Sequence, residues 1–449
     1  MTLTDFLGAL KGKSVLLAGL GVSNLPVLRM LRPHGIDVAV WDEKSETAMD
    51  PAVRRELAAL DVPVFGDGRL PDRAFDCAFR SPGLRPDAPV LAAQAARGCA
   101  LTSEMEAFLQ VCPCPVIAVT GSDGKTTTTT LIAEMLKAAG RTVWLGGNIG
   151  TPLLHRAEEM SPADFAVVEL SSFQLMTMRI RPAVAVVTNL APNHLDWHRG
   201  MEEYIAAKQN LFLRQTSEDT LVLNADCPVT RGFAAAAPAN VLFFSRRAEA
   251  DACLADGMLR LFGKDAFPAG EILLPGAHNI ENYLAAMLAV SKTAGADAMR
   301  AVASSFAGVA HRIEFVRELR GVRYYNDSIA SSPTRAIAGL KSFPEPVILI
   351  AGGSDKKIPF DTLAEEICRR VKRLYLTGDT AGKIHAAVSA CSDPPPVQVT
   401  DSLAAAVTLS SQAAAPGDVV LMSPACASFD RYKNFAERGE LFKSLVNGL

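Results

Sequence analysis

The chain is predicted to be α/β, because three features of its sequence agree. Short apolar, β-branched runs alternate with Ala- and Leu-rich stretches of helical spacing along most of its length. Those runs read as strands buried in parallel sheets that helices cover on both faces. Two of them lead straight into glycine turns, at Gly19-x-Gly21 and at Gly121-Ser-Asp-Gly124, the passage from such a strand to the next helix. With 449 residues and roughly 150 residues per domain, about three domains are expected.

Taken in order, strands are predicted at Ser14–Ala18, Val38–Trp41, Val116–Thr120, Phe165–Leu170, Val184–Thr188, Val347–Ala351, Leu374–Thr377 and Asp418–Met422. Leu131–Ala139, Met201–Phe212 and Ile280–Val290 carry the apolar spacing of helices between them. The stretch Val111-Cys-Pro-Cys-Pro115 interrupts a helix before a strand, although the break between domains is placed earlier, near Thr102. A second break falls at Phe306–His311, before a fresh series that starts at Ile313. The predicted domains are 1–102, 103–308 and 309–449.

Composition narrows the function. Lys and Arg number 45 against 48 Asp and Glu, a net charge of −3, which offers nothing to nucleic acid or to an anionic membrane surface. The longest apolar runs, such as Phe165–Leu170 and Val184–Val187, fall far short of the ~20 residues that span a bilayer. Met1–Leu10 has no basic segment leading into an apolar one, so no signal peptide is expected. Nine cysteines, with no CxxC pair and with Cys112 and Cys114 flanking Pro113, suit reduced thiols. A cytoplasmic protein is expected, acting as a monomer.

The strongest local signal is Thr120-Gly-Ser-Asp-Gly-Lys-Thr-Thr127, directly after a strand and opening a helix. Such a turn lets backbone N–H groups wrap a triphosphate at a positive helix end. Gly121, Ser122, Asp123, Gly124 and Thr127 would line it. Lys125 would reach the β- and γ-phosphates, and the Thr126 hydroxyl would sit on Mg²⁺. The loop is shorter than the usual pattern, since Val119 stands where its first glycine would be. Thr126–Thr130 make a poor helix start by propensity, which a ligand on that turn would justify. Glu169, near the end of an apolar strand, is the candidate metal carboxylate.

Past the next strand, His194, Asp196 and His198 are all possible metal ligands; His194 is favoured, and His198 is expected to be structural. Tyr204 and Lys208 share a helix face at i,i+4, and taken alone they read as a surface lysine whose stem covers a tyrosine. In the first domain, Asn24 replaces the third glycine of a dinucleotide fingerprint. Asp42 ends the second strand, where an acid commonly meets a ribose or base. NAD, FAD or a UDP-linked group would all suit that loop. Two nucleotide-type sites suggest that one nucleotide is fuel and the other part of the substrate.

These elements, in this order, resemble the Mur ligases. The resemblance is carried by the phosphate loop, Glu169-Leu-Ser-Ser-Phe-Gln174, Asn193-His-Leu-Asp196, Tyr204-Ile-Ala-Ala-Lys208, His278-Asn-Ile-Glu-Asn282, His311-Arg312, Tyr325-Asn-Asp-Ser328, Ala351-Gly-Gly353 and Ser423-Pro-Ala-Cys-Ala-Ser428. The Gly19-Leu-Gly21 type of first domain, Ser81-Pro-Gly83, and the stretch Ser423-Pro-Ala-Cys-Ala-Ser-Phe-Asp430 through Lys433-Asn-Phe435 narrow it to the branch that adds D-glutamate to UDP-N-acetylmuramoyl-L-alanine in peptidoglycan precursor synthesis, which supports cell-wall growth and division. The resemblance implies a Rossmann-like N-terminal domain for the UDP-substrate, a central P-loop ATPase-type domain and a Rossmann-like C-terminal domain. It implies an acyl-phosphate mechanism fuelled by ATP, two Mg²⁺ sites, and a CO₂-derived carbamate on Lys208 with His194 beside it.

By the same resemblance, Asn279, Asn282, Arg312 and Asp327 contact ATP, which would bridge two domains. Val22, Ser23, Asp42, Lys44, Ser81 and Asn148 line the UDP-substrate, and Ser331, Lys356 (or its neighbour Lys357), Ser428 and the backbone of Phe435 take D-glutamate. Ile329 departs from the pattern, because many relatives carry a Lys there. The competing expectations are a sister ligase for another amino acid, a non-catalytic UDP-sugar binder, and a kinase that leaves no amide product.

Overall fold

The structure, a computed structural model, describes residues 1–194, 197–355 and 358–449. It is α/β, with three sheets of five, nine and six strands. The chain packs as two compact units: Met1–Glu271 with Ile280–Val302, and Ile272–Asn279 with Ala303–Leu449.

The first unit holds two sheets. The smaller runs Val64–Phe65, Asp37–Trp41, Ser14–Ala18, Cys77–Arg80, Ala100–Thr102, parallel throughout. In the larger, Val116–Thr120 lies between Val184–Val187 and Phe165–Glu169, all parallel, with Val143–Gly147 at the edge. Thr220–Asn224, Asn240–Ser245 and Ala252–Ala255 continue it in parallel on the other side. An antiparallel meander, Met258–Leu261 and Lys264–Pro268, then completes that edge. Nearly every side chain of the central strands is buried, which is why they read as continuous apolar runs.

One hydrophobic core serves both sheets. It runs from Leu3, Phe6 and Leu7 through Phe79, Met105 and Phe108 to Leu153, Val168 and Phe212. Two capped helices carry it across. Thr2 and Asp5 form a capping box on Leu3–Leu10, and Ser103 caps Glu104–Val111, so their first N–H groups need no water. Cys112 ends the second helix in extended backbone, ahead of Pro113. A residue before proline is pushed to that conformation.

The second unit is a six-stranded sheet in the order Glu314–Leu319, Val322–Asn326, Val419–Met422, Val347–Ala351, Val371–Leu376, Val397–Val399. Only its first pair is antiparallel. Helices bury both faces, Leu340, Leu363 and Ile384 on one and Val407, Phe442 and Val446 on the other. Among the described residues no helix is long and apolar enough to cross a membrane.

Candidate functional site

The central glycine loop is held from outside by its neighbour strand. Ser122 N donates to Asn189 O (2.9 Å), Asp123 N to Asn189 Oδ1 (2.9 Å), and Thr188 Oγ1 to Asp123 O (2.6 Å). Ser122 Oγ also meets Tyr204 Oη at 2.9 Å. Gly124 sits at φ +76°, and a Cβ there would run into Asn282 Oδ1, so only glycine turns this corner. The helix Lys125–Ala138 starts immediately after it, with no side-chain cap on its first turn among the described residues. An uncapped positive helix end beneath a glycine loop is an anion seat.

The threonine run is tolerated because the structure occupies its hydroxyls. Thr129 and Thr130 bond back to the carbonyls of Lys125 and Thr126, both at 2.8 Å, and Thr128 donates to Asn282 Oδ1 (3.2 Å). Thr126 donates to Glu169 Oε2 at 2.6 Å. The other oxygen of Glu169 takes the Asn148 amide at 2.7 Å. Glu169 is 1% exposed.

Two lysines converge here. Lys125 Nζ donates to the carbonyls of Gly121 (3.0 Å) and Ser122 (2.8 Å). Lys208 Nζ donates to the same Gly121 carbonyl at 2.8 Å and to Thr120 Oγ1 at 3.3 Å. Lys208 is 1% exposed, which overturns the bland sequence reading of a surface lysine; its partner Tyr204 is equally buried. Burial, reinforced by the Lys125 charge, holds the Lys208 ammonium well below its ordinary value, with Glu169 and Asp123 offsetting part of that. Two cations on one carbonyl form a site that favours either an added anion or a neutral amine.

The histidine trio divides. His198 is buried, with Nδ1 3.2 Å from Glu203 and Nε2 2.9 Å from Ser172 Oγ, the structural role expected of it. His194 is exposed, in left-handed backbone at φ +55°, with its ring edge-on to Phe173 at 4.9 Å. Asp196 lies outside the described residues, as do Lys356 and Lys357.

The loop of the smaller sheet is built differently. Gly19 sits at φ +84°, where a Cβ would come within 2.8 Å of Ser81 Cβ. Asn24, in place of the third glycine, donates to Gly19 O (2.8 Å) and Phe79 O (3.1 Å) and so ties the loop to two strand ends. Asp42 accepts from Leu20 N (2.8 Å) and Lys44 N (3.0 Å). Val22 and Lys44 are exposed, Ser23 and Ser81 half-buried.

In the second unit, Asp327 is buried, accepting from Ser423 Oγ (2.7 Å) and Ile313 N (3.3 Å). Its burial pushes the carboxyl up to about 7, against these hydrogen bonds and the pull of Arg312. Asn279 anchors Pro275 O through its amide at 2.6 Å. Ser428 is buried and Ser331 half-buried. Phe435 opens the helix Phe435–Asn447, whose Asn434 cap takes Glu437 N and leaves the first turn to other acceptors. The sequence reading missed Arg438, 4% exposed, which donates to Ser328 O (2.9 Å), Cys426 O (3.1 Å) and Ala427 O (3.2 Å) and shapes the segment that presents Ser428. An arginine within an otherwise ordinary amphipathic helix gives no local sign of that burial.

Comparison with known proteins places this arrangement. Residues 119–290 match the Mur ligase middle domain and residues 311–426 the Mur ligase, glutamate ligase domain. The chain is 48% identical to the UDP-N-acetylmuramoylalanine--D-glutamate ligase of Acetivibrio thermocellus, over 100% of this chain and 99% of the relative. It is 47% identical to the enzyme of that name from Clostridium kluyveri, over 99% of each. Among solved structures, the UDP-N-acetylmuramate-alanine ligase MurC of Thermotoga maritima shares the fold with a TM-score of 0.59 at 17% identity, covering 97% of this chain and 99% of that one. A UDP-N-acetylmuramoyl-L-alanyl-D-glutamate--2,6-diaminopimelate ligase does so with a TM-score of 0.57 at 20% identity, over 85% and 93%. Sharing close to half of its residues with such ligases along its whole length, the chain belongs to the Mur ligase family.

Proposed function

We propose that the chain is an ATP-dependent ligase that joins D-glutamate to UDP-N-acetylmuramoyl-L-alanine, releasing ADP and phosphate, in the synthesis of peptidoglycan precursors. The observation that carries this reading is the convergence of Lys125 and Lys208 on the Gly121 carbonyl beside the Thr126–Glu169 pair. The substrate carboxylate attacks the γ-phosphorus of ATP and ADP leaves, giving an acyl phosphate. The neutral amine of D-glutamate then adds to the carbonyl carbon of the acyl phosphate, gives up a proton, and phosphate departs as the C–O bond breaks and the amide forms. Both steps gather negative charge at one place, which the Lys125 ammonium and the positive N-terminal end of the helix Lys125–Ala138 are set to meet.

A hard divalent cation takes oxygen ligands and commonly only one or two from protein. A buried hydroxyl and carboxylate already in contact, Thr126 and Glu169, fit Mg²⁺. Bound there, it would neutralise phosphate charge. Among the described residues no three His, Cys, Asp or Glu side chains cluster as a metal cage, so a second Mg²⁺ needs another anion. A carbamate on Lys208 supplies one: the neutral amine attacks CO₂, an N–C bond forms and a proton leaves. His194 is assigned beside it.

Residues 1–102 are assigned to the UDP-substrate through Val22, Ser23, Asp42, Lys44 and Ser81, with Asn148 further along it. Residues 103–308 are assigned to ATP through Gly121–Thr127, Asn279 and Asn282. Residues 309–449 take D-glutamate through Ser331, Lys356, Ser428 and Phe435 and complete the nucleotide contacts with Arg312 and Asp327. The working form is proposed to be a cytoplasmic monomer.

The test is phosphate release from ATP with Mg²⁺, bicarbonate and UDP-N-acetylmuramoyl-L-alanine across L- and D-amino acids. Release that depends on D-glutamate is expected. Release with another amino acid alone would move the chain to a sister activity, and none at all would overturn the reading.

A further inference from the structure

Arg80 is the most deeply buried cation that the reaction above does not use. It ends the strand Cys77–Arg80 of the smaller sheet and is 1% exposed. No carboxylate lies within ion-pair distance of its guanidinium among the described residues. Its hydrogen bonds instead go mainly to main-chain carbonyls on both sides of the unit. On its own side it donates to Leu84 O at 2.8 Å and Pro82 O at 3.3 Å, closing the turn that follows Ser81. On the other it donates to Phe173 O at 2.8 Å and Thr177 Oγ1 at 3.3 Å, in the segment after Glu169. Buried Glu106, whose charge acts on the Arg80 guanidinium at longer range, also supports that segment, accepting from Arg179 N at 3.0 Å.

The segment bears on the reaction centre. Phe173 packs against His194 (4.9 Å) and Trp197 (4.3 Å), and the Oγ of its neighbour Ser172 lies 2.9 Å from His198 Nε2. One planar, five-donor group therefore joins the turn beginning at Ser81 to the backbone beside His194. A lysine could not do so, since a single ammonium cannot reach acceptors lying in both directions. Burying a charge with no carboxylate in contact is costly even with the Glu106 charge acting on it at longer range, and a packed apolar side chain would hold the two sheets together at less cost. That cost is explained if the geometry of the turn matters.

We propose that Arg80 is a positioning residue that sets the Ser81–Leu84 turn against the Phe173 segment, and so aligns the UDP-linked substrate with the reacting centre. The proposal rests on the assignment of Ser81 to that substrate. Arg80 acts through the turn and touches no reacting atom.

The experiment compares wild type with Arg80→Met and Arg80→Lys. Steady-state KM values are measured for UDP-N-acetylmuramoyl-L-alanine and for ATP, together with calorimetric binding of each ligand alone. Both variants are expected to raise the KM and Kd for the UDP-substrate at least about tenfold, the scale of lost hydrogen bonds to a charged group. ATP binding should stay within about threefold of wild type. Millimolar methylguanidinium should restore part of the UDP-substrate affinity in Arg80→Met and nothing in wild type. A general loosening of the fold would move both ligands together, and that result, or unchanged affinity for both, overturns the proposal. If Arg80→Met does not fold, the KM split in Arg80→Lys decides by the same criterion. Wild type that bound ATP but no UDP-substrate would instead overturn the reading of the first sheet on which the proposal rests.

Discussion

The two glycine loops of the first unit do similar geometric work with opposite electrostatics. The loop after Ser14–Ala18 is tied down by neutral or outward-facing groups, the Asn24 amide and the half-buried Asp42 carboxylate. The loop after Val116–Thr120 encloses Glu169 and Lys208, each 1% exposed, with Lys125 beside them. Buried charge of that kind weakens a fold unless something is gained from it. On the proposed reading, the first loop shapes a surface for a ligand held largely by contact. On the same reading, the second is an electrostatic device that an anion would complete.

The largest effect that would break this contrast is at Lys125. Lys125→Ala should lower ATP-dependent phosphate release by at least about a thousandfold, as removal of a transition-state charge partner does. Near-normal turnover would remove the second loop from the chemistry. Lys208→Ala should also be inactive, and short-chain carboxylates such as acetate should recover part of the rate by replacing the missing anion. Failure of that rescue at high acetate would count against an anionic role for the residue.

On the first loop the expected effect is smaller and confined to one ligand. Asp42→Ala should raise the KM for the UDP-substrate about tenfold while leaving that for ATP close to wild type. Equal changes in both would mean that the two loops are not separate sites.

The last effect is on stability rather than turnover and concerns the support between the loops. Glu104 is buried, its Oε1 accepting from Leu153 N (2.8 Å) and Leu154 N (2.9 Å), and burial pushes its carboxyl up to about 6 despite those bonds. The folded chain therefore holds this proton more tightly than the unfolded chain. The contribution is fully present below the ordinary glutamate value near 4.5 and is lost as pH rises through about 6. A shift of that size corresponds to about 2 kcal/mol. Urea unfolding between pH 4.5 and 7 should show that decline in wild type and lose it in Glu104→Gln, which keeps the acceptor without the charge. A parallel decline in the variant would assign it to another group.

Much of this was legible in the sequence where the determinants are local. The strands Ser14–Ala18, Val116–Thr120 and Val347–Ala351 lie at the predicted residues, because buried parallel strands are apolar without a break. The glycine turn between that second strand and the helix Lys125–Ala138 was legible for the same reason, its glycines being contiguous with both. The meander at Met258–Pro268 was not read, since its short, partly exposed strands carry Arg260, Lys264 and Asp265 among their apolar residues. Lys208 looked like a surface residue by its helix spacing alone. Its burial comes from a strand end and a glycine loop more than 80 residues away in the chain. Arg80 and Arg438 were invisible for the same reason, since their acceptors are mostly carbonyls, which carry no sequence identity.

The central proposal is that Lys208, its ammonium disfavoured by burial, becomes an anionic ligand in this site. The most direct measurement is ¹³C NMR of the protein equilibrated with labelled bicarbonate, wild type against Lys208→Ala. A protein-bound carbamate carbonyl signal that is present in wild type and missing from the variant is the predicted result. The same signal in both proteins, or none in wild type at saturating bicarbonate, would contradict the account.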